Sequence, residues 1–342
     1  MNTAFYFIKP LVSCRTWCVA VACSILFSFN AAGQALQLTQ FYAAPTFLNP
    51  AFAGLGTCSR MNTNYRVQWP SIPGAFVTTL VSFDHQLIKK RTGFGFLFTN
   101  DKAGSGNLHS SNFSGQYSHQ FLLGHGWSVN AGAEAGYTIR DYNFSKFVFG
   151  DMIAYGTSTT VEQPTAMRVH YLDLSSGVIV YDRRTWIGFS AHHLNMPNQA
   201  VISPESRLPI LYSVHTGTKI PVGSKADFKD NDPSESITPA FNYRHEGKFD
   251  QVDIGFYYSK RPMVMGLWYR GIPLLKAYKP GYQNNDALAL IVGVVIDRFK
   301  FGYSYDLTIS RLWGYTAGAH ELSMSYQFCK HKGRTPYACP KF

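Results

Sequence analysis

The sequence is short of charge. Only 15% of its 342 residues are Asp, Glu, Lys or Arg, whereas a soluble globular domain carries about 25%, so an ordinary water-facing surface is excluded. Beyond position 30 it also lacks any apolar run of about 18 residues, which excludes a bundle of membrane helices. No H-E-x-x-H helix, phosphate loop or G-x-S-x-G elbow occurs, so the usual carriers of metal, nucleotide and acyl chemistry are missing. The pair His192–His193 projects to opposite faces of a strand and makes no metal site alone. The net charge is +11, but it forms no basic helix and no basic patch with interleaved aromatics, so nucleic acid is not an expected partner. Cysteine is scarce: Cys14, Cys18 and Cys23 stand near the start, and only Cys58, Cys329 and Cys339 follow.

What the chain has in quantity is aromatic residues, 26 Phe and 21 Tyr, set in strict alternation. In "FKFGYSYDLTIS" the residues Phe299, Phe301, Tyr303, Tyr305, Leu307 and Ile309 share one side of an extended strand. Lys300, Gly302, Ser304, Asp306, Thr308 and Ser310 share the other. The same period recurs in "GFGFLFTN", "WSVNAGAEAGYTIR", "QVDIGFYYS" and "ELSMSYQF". Counting such runs predicts about 14 strands, each long enough to cross a bilayer. They begin near residues 60, 75, 92, 108, 126, 168, 185, 210, 235, 248, 262, 285, 299 and 316. A soluble sandwich would show Lys and Glu on its polar face, whereas this face is Ser, Gly, Thr, Asn and Gln. The expected fold is therefore all-β, a transmembrane antiparallel β-barrel, apolar towards lipid and polar towards its lumen.

The first residues read as a cleaved signal peptide. Lys9 and Arg15 precede the apolar run "CVAVACSILFSF", and Ala31 and Gly33 are small residues suited to cleavage before Gln34. Cleavage before Leu36 is nearly as good, and acylation at Cys23 is a weaker reading because the apolar run continues past it. The chain then divides into a signal peptide (1–33), an N-terminal periplasmic or plug-like segment (34–59), an outer-membrane barrel (60–328) and a periplasmic tail (329–342). An even strand count puts both termini in the periplasm. Long connections near 141–167, 194–209 and 271–284 then lie outside, while short basic turns lie inside: Lys89–Lys90–Arg91, Arg183–Arg184 and Lys260–Arg261. These turns suit anionic lipid headgroups, with a docking surface for periplasmic machinery as the sharper alternative.

The segment "LQLTQFYAAPTFLNPAFAGLG" carries Phe41, Tyr42, Phe47, Leu48 and Phe52, too apolar to stay in water. It is expected to pack into the periplasmic mouth as an ordered leader. An oxidising compartment and a short spacing favour a Cys329–Cys339 disulfide, worth about 3 kcal/mol in the chain-entropy model, with Cys58 left over. Asp173, Glu134, Arg140, Asp253 and Asp306 are expected to form lumen ion pairs. Asp141, His170, Asp173 and Ser175 are the nearest thing to a catalytic set, but any lumen supplies such residues. No enzyme activity, cofactor or metal is expected.

Several short motifs, in order along nearly the whole mature chain, resemble the PorP/SprF family of type IX secretion outer-membrane proteins. They are "QFYAAPTFLNPAFAG" (Asn49, Pro50, Gly54), "NYRVQWP" (Arg66, Trp69), "GFGFLFTNDKAG" (Asn100, Asp101), "GLWYRG" (Trp268, Arg270), "GYSYDLTISRL" (Tyr305, Asp306) and "GAHELSMSYQF" (His320, Glu321). None is a catalytic signature. The resemblance implies an outer-membrane component that receives secreted adhesins with a type-B C-terminal sorting domain and anchors them at the surface, in some members in support of gliding motility. It implies the type IX translocon and periplasmic machinery as further partners, besides outer-membrane lipids. Aromatic residues of the outer connections, Tyr142, Phe144, Phe147, Tyr278 and Tyr282, are the expected contacts for such a cargo. A channel for small hydrophobic solutes is the alternative.

Overall fold

The computed structural model describes residues 36–56, 58–104, 108–141, 143, 147–161, 168–200, 205–222, 233, 235–277 and 283–328. Alternating residues do what their period dictates, and 14 strands form one sheet. In chain order they are β1 (Ser59–Gln68), β2 (Phe76–Leu87), β3 (Thr92–Ala103), β4 (Leu108–Gly124), β5 (Trp127–Asp141), β6 (Arg168–Tyr181) and β7 (Thr185–His192). They continue with β8 (Leu211–Thr218, resumed at Ile220–Pro221), β9 (Glu235–Glu246), β10 (Phe249–Lys260), β11 (Met263–Ala277), β12 (Gln283–Ile296), β13 (Phe299–Thr308) and β14 (Ala319–Phe328). Each pairs antiparallel with the next in sequence. The sheet closes where β1 meets β14, in register from Ser59↔Phe328 to Gln68↔Ala319. No edge strand is left open, as a lipid environment demands.

The two faces of the wall differ as expected. Outward side chains are apolar: Phe96, 66% exposed, Phe113, Leu172, Ile187, Leu290 and Leu322. In β13 the aromatic residues Phe299, Phe301 and Tyr303 face out, while Ser304, Asp306 and Thr308 are buried inside. The inner face is Asn62, Asn64, Ser82, Gln116, Ser118, Asn130, Ser190, Ser213 and Asn242, all buried.

Connections at one end are mostly tight (88–91, 125–126, 182–184, 261–262, 297–298), and 222–234 is the long exception there. The opposite end carries the long ones, including 142–167 with a short helix at Gly150–Tyr155, and 193–210. One expectation fails. The stretch 271–284 is not a long loop, because β11 runs to Ala277 and β12 begins at Gln283. Register shifts between Arg270 and Gly271 and between Ile272 and Ala277 absorb extra residues. A bulge breaks the period of two, so the alternation that marks a strand is lost there although the pairing continues.

Candidate functional site

A wall lined with Ser, Asn and Gly encloses a space that its own side chains do not fill, and the chain fills it with residues 36–56. Pro45 and Pro50 forbid strand pairing there, and the backbone folds into short turns instead: Phe41–Ala43, Pro45–Leu48 and Pro50–Phe52. Asn49 caps the last of these by accepting from Ala51 N–H at 2.9 Å, with Pro50 following as first residue of the turn. Leu38, Phe41, Tyr42, Leu48, Phe52 and Leu55 are buried, the middle of the segment packing against Ile179, Tyr181, Trp186, Trp268 and Ile291 of the wall. The Phe41 ring meets Trp268 edge-on at 5.1 Å, and Tyr42 meets Trp186 at 5.8 Å. Each such side chain contributes about 1.5–3 kcal/mol by leaving water.

The wall bonds many polar groups of this plug around most of its circumference. Gln116 Nε2 donates to Thr46 O at 2.8 Å, Ser118 Oγ to Ala53 O at 2.6 Å, and Ser190 Oγ to Leu48 O at 3.0 Å. Asn49 Nδ2 donates to Phe189 O at 3.0 Å and Val178 O at 3.3 Å. Gly54 N–H donates to Asp84 Oδ2 at 3.1 Å, and Asp84 also holds Arg60 at 3.0 Å. Wall glycines make the close approach possible: a Cβ at Gly93 would strike Ala53 O, and one at Gly177 would strike the Asn49 side chain.

At its start the plug meets a buried charge network. Thr39 Oγ1 donates to Asp306 Oδ2 at 2.6 Å and accepts from Arg66 Nη1 at 2.6 Å and Arg270 Nη2 at 3.3 Å. Arg66 pairs with Asp306 at 2.9 Å and Glu321 at 3.4 Å, and Arg270 pairs with Asp253 at 2.7 Å and Asp306 at 3.1 Å. Glu321 is fully buried and accepts from Thr39 N–H at 2.7 Å and Asn64 Nδ2 at 3.0 Å. The carboxylates Asp253, Asp306 and Glu321 thus surround two guanidinium groups and one plug hydroxyl. Such groups survive burial only because each is paired and hydrogen-bonded.

This placement alters the expected position of the segment. It does not stop at the short-turn mouth. Gly54 contacts the short-turn half of the barrel through Asp84, while Thr39 reaches Asp306 and Glu321 near the long-loop ends of β13 and β14. Arg60 and Arg66, which mark those levels on β1, are six residues apart, about 20 Å of strand.

The motif residues gather mostly here. Asn49, Pro50 and Gly54 belong to the plug, and Arg66, Trp268, Arg270, Asp306 and Glu321 are the wall that holds it. Tyr305 and His320 pack ring on ring at 5.0 Å elsewhere on the wall. Asn100 donates to Ser111 at 2.8 Å, Asp101 accepts from Thr78 at 2.6 Å, and Trp69 N–H donates to Gly318 O at 2.8 Å, tying strand ends and turns together. Of the expected lumen pairs, Asp253 and Asp306 have arginine partners and Asp173 bonds His193 at 2.7 Å. Glu134 bonds Gln116 and Arg140 bonds Gln199 instead. The conceivable catalytic set is dispersed: Asp141 goes to Arg168, His170 to Tyr137, Asp173 to His193 and Ser175 to His192.

At the long-loop end, Tyr142, Phe144, Tyr278 and Tyr282 lie outside the described residues, and Phe147 is half-buried against Phe149 at 6.2 Å. Exposed apolar side chains there include Ile153, Tyr155 and Val161 in one connection, and Trp313 and Tyr315 in another, none of them marked by the sequence. Asp151 clasps the first of these connections, accepting from Val161 N–H at 2.7 Å and Thr160 Oγ1 at 3.0 Å. The Val161 N–H holds its carboxyl below the usual carboxylate range. Cys58 is disulfide-bonded, so it is not the odd cysteine that the spacing suggested. Cys329 and Cys339 lie outside the described residues.

Comparison with known proteins decides the family. The model of the type IX secretion system membrane protein PorP/SprF matches residues 30–326. The chain belongs to this family. It is an outer-membrane component of the type IX secretion system. No curated protein matches. Among solved structures, the toluene transporter TodX of P. putida is 9% identical, with 83% of this chain and 93% of that chain covered and a TM-score of 0.45. Omp33 of Acinetobacter baumannii is 7% identical over 80% of this chain and 100% of that chain, with a TM-score of 0.44. BamA from Haemophilus ducreyi lacking POTRA domains 1–3 is 8% identical over 79% and 70%, with a TM-score of 0.40. These likenesses carry no functional argument.

Proposed function

We propose that this barrel is a platform on which secreted surface proteins are received and anchored. Its partners are adhesins with type-B C-terminal sorting domains, delivered by the type IX translocon, with gliding motility served where the adhesin is a gliding one. The observation that carries this reading is the occupied lumen. Residues 36–56 are bonded to the wall from β1 to β14 by apolar packing and by buried ion pairs. An open diffusion pore would keep its interior free, whereas a platform needs rigidity inside and contact surface outside. The long-loop end, taken as extracellular by loop length, offers Ile153, Tyr155, Val161, Trp313 and Tyr315. Large aromatic side chains of this kind dominate binding energies at interfaces. Tyr142, Phe144, Phe147, Tyr278 and Tyr282 are the further contacts on the same rim. The periplasmic face, rich in Lys and Arg, is where periplasmic machinery and anionic lipid would meet the barrel.

Alanine at Tyr155, Trp313 and Tyr315 together tests the reading. The barrel should still insert and migrate as a heat-resistant band, while its surface protein is released to the medium or degraded. Intact display with altered uptake of a small hydrophobic solute would favour the channel reading instead.

A further inference from the structure

The plug has a direction. With its amide oxygen turned to them, Gln37 accepts from Gln251 Nε2 at 2.7 Å, Arg270 Nε at 2.8 Å and Arg244 Nη2 at 3.2 Å. Arg244 and Gln251 each stand two residues from the long-loop end of their strands, β9 and β10, which is about 7 Å of strand. Thr39 follows at Asp306 and Glu321, and Gln40 Nε2 donates to Glu321 O at 2.9 Å and Ser304 Oγ at 3.2 Å. Tyr42 already stands beside Trp186, next to the short-turn end of β7, and Gly54 bonds Asp84. Residues 36–56 thus start at the long-loop end and finish at the short-turn end, where β1 begins. The two ends are held differently. The backbone at Ala51 and Ala53 presses on Gly132 and Gly93, where no Cβ would fit. Gln37, Thr39 and Gln40 are held by hydrogen bonds, and Leu38 alone among residues 37–40 joins an apolar cluster, with Leu80 and Leu97. Leu36 and Gln37 are partly exposed, whereas Leu38 to Tyr42 are buried.

We propose that residues 36–40 are a latch that opens to the cell surface. The plug is then a strap fixed to β1 at the short-turn end. Its free end, created when the signal peptide is cut before Gln34 or Leu36, points to the extracellular side. An even strand count ties the two ends of the wall, Ser59 and Phe328, to one side of the membrane, but it does not bind a segment that crosses the lumen. A partner on the cell surface reaches the free end directly. A polar peptide chain that replaces Gln37 and Thr39 at Arg66 and Arg270 unlatches the strap from outside, since one hydrogen bond is exchanged for another. The direction rests on the long-loop end being extracellular and is independent of the anchoring role.

The test labels the full-length barrel on intact cells with an impermeant maleimide, and the parent protein treated alike gives the background. Leu36→Cys should react from outside, whereas Gly56→Cys should react only after the cells are opened. Ala103→Cys, at the long-loop end, reads the orientation of the wall in the same experiment. Reaction at Ala103→Cys without reaction at Leu36→Cys overturns the proposal. Reaction of both only in opened cells also overturns it, because the free end then faces the periplasm. Adding Gln37→Ala and Thr39→Val to Leu36→Cys should speed its labelling on intact cells about tenfold, since lost hydrogen bonds raise the open fraction. An unchanged rate refutes the latch, and acceleration confined to opened cells refutes its direction. Should that variant fail to insert, Gln37→Ala alone carries the same test from the partly exposed end.

Discussion

Replacing Arg270 by Met should cost the barrel about 3–5 kcal/mol, the range for breaking a buried pair from one side. Arg270 bonds Asp253 at 2.7 Å, Asp306 at 3.1 Å and the Thr39 hydroxyl at 3.3 Å. The two acids are not left equally exposed to the loss. Asp306 keeps Arg66 in direct contact at 2.9 Å, whereas Asp253 keeps as hydrogen-bond donors the neutral Gln251 at 2.9 Å and Asn242 at 3.4 Å, besides the charge of the buried Arg244. The cost therefore concentrates on Asp253, and the double variant Arg270→Met with Asp253→Leu should recover most of it, because neutralising both partners removes the uncompensated charge. Guanidinium unfolding of refolded barrel in lipid vesicles, followed by tryptophan fluorescence, gives the four corners of the cycle. Loosening of Thr39 should also make residues 36–56 cleavable by protease in Arg270→Met alone. A single variant that loses less than about 1 kcal/mol, or a double variant no better than the single, refutes the view that the network holds barrel and plug through charge pairing.

Three further outcomes follow from the same geometry. Gly177→Ala, whose Cβ would strike Asn49, should cost about 1–3 kcal/mol by overpacking and expose the plug to protease while the barrel still forms; an unchanged protease pattern counts against the seating described. Phe96→Arg, in the middle of β3 on the lipid side, should destabilise the barrel by about 2–4 kcal/mol in vesicle unfolding; a neutral result would mean that this face is not in lipid. Cysteine introduced at Ala103 should react with an impermeant maleimide on intact cells and cysteine at Lys89 should not, and the reverse pattern would invert the barrel.

The strands were legible because their signal is local. Alternation such as Phe94, Phe96, Phe98 against Gly95 and Leu97 needs no tertiary knowledge, and every predicted strand start falls within a few residues of the observed one. The hairpin around 271–284 was missed where a bulge destroys the period. The plug was legible only as a segment that could not stay in water. Its depth depends on contacts between residues more than 200 apart, such as Thr39 with Asp306 and Glu321, and no local pattern reports such a pairing. Arg66, Arg270 and Glu321 stood out through the resemblance, not through chemistry visible in the sequence, since each is an ordinary charged residue until the barrel closes; Asp306 was expected among the lumen ion pairs, but not its particular partners. The exposed Tyr155, Trp313 and Tyr315 were passed over because aromatic residues are too frequent in this chain for any one to stand out.

The central claim is that this barrel holds a secreted protein at the cell surface, and isolating it with its bound neighbours tests that most directly. Affinity purification of the full-length barrel from its native outer membrane, after mild solubilisation, should bring down a large secreted protein carrying a type-B C-terminal sorting domain. The Tyr155, Trp313 and Tyr315 alanine variant should lose it. Recovery of the barrel without any secreted protein, together with normal surface display of every type IX cargo in cells lacking the gene, would contradict the account.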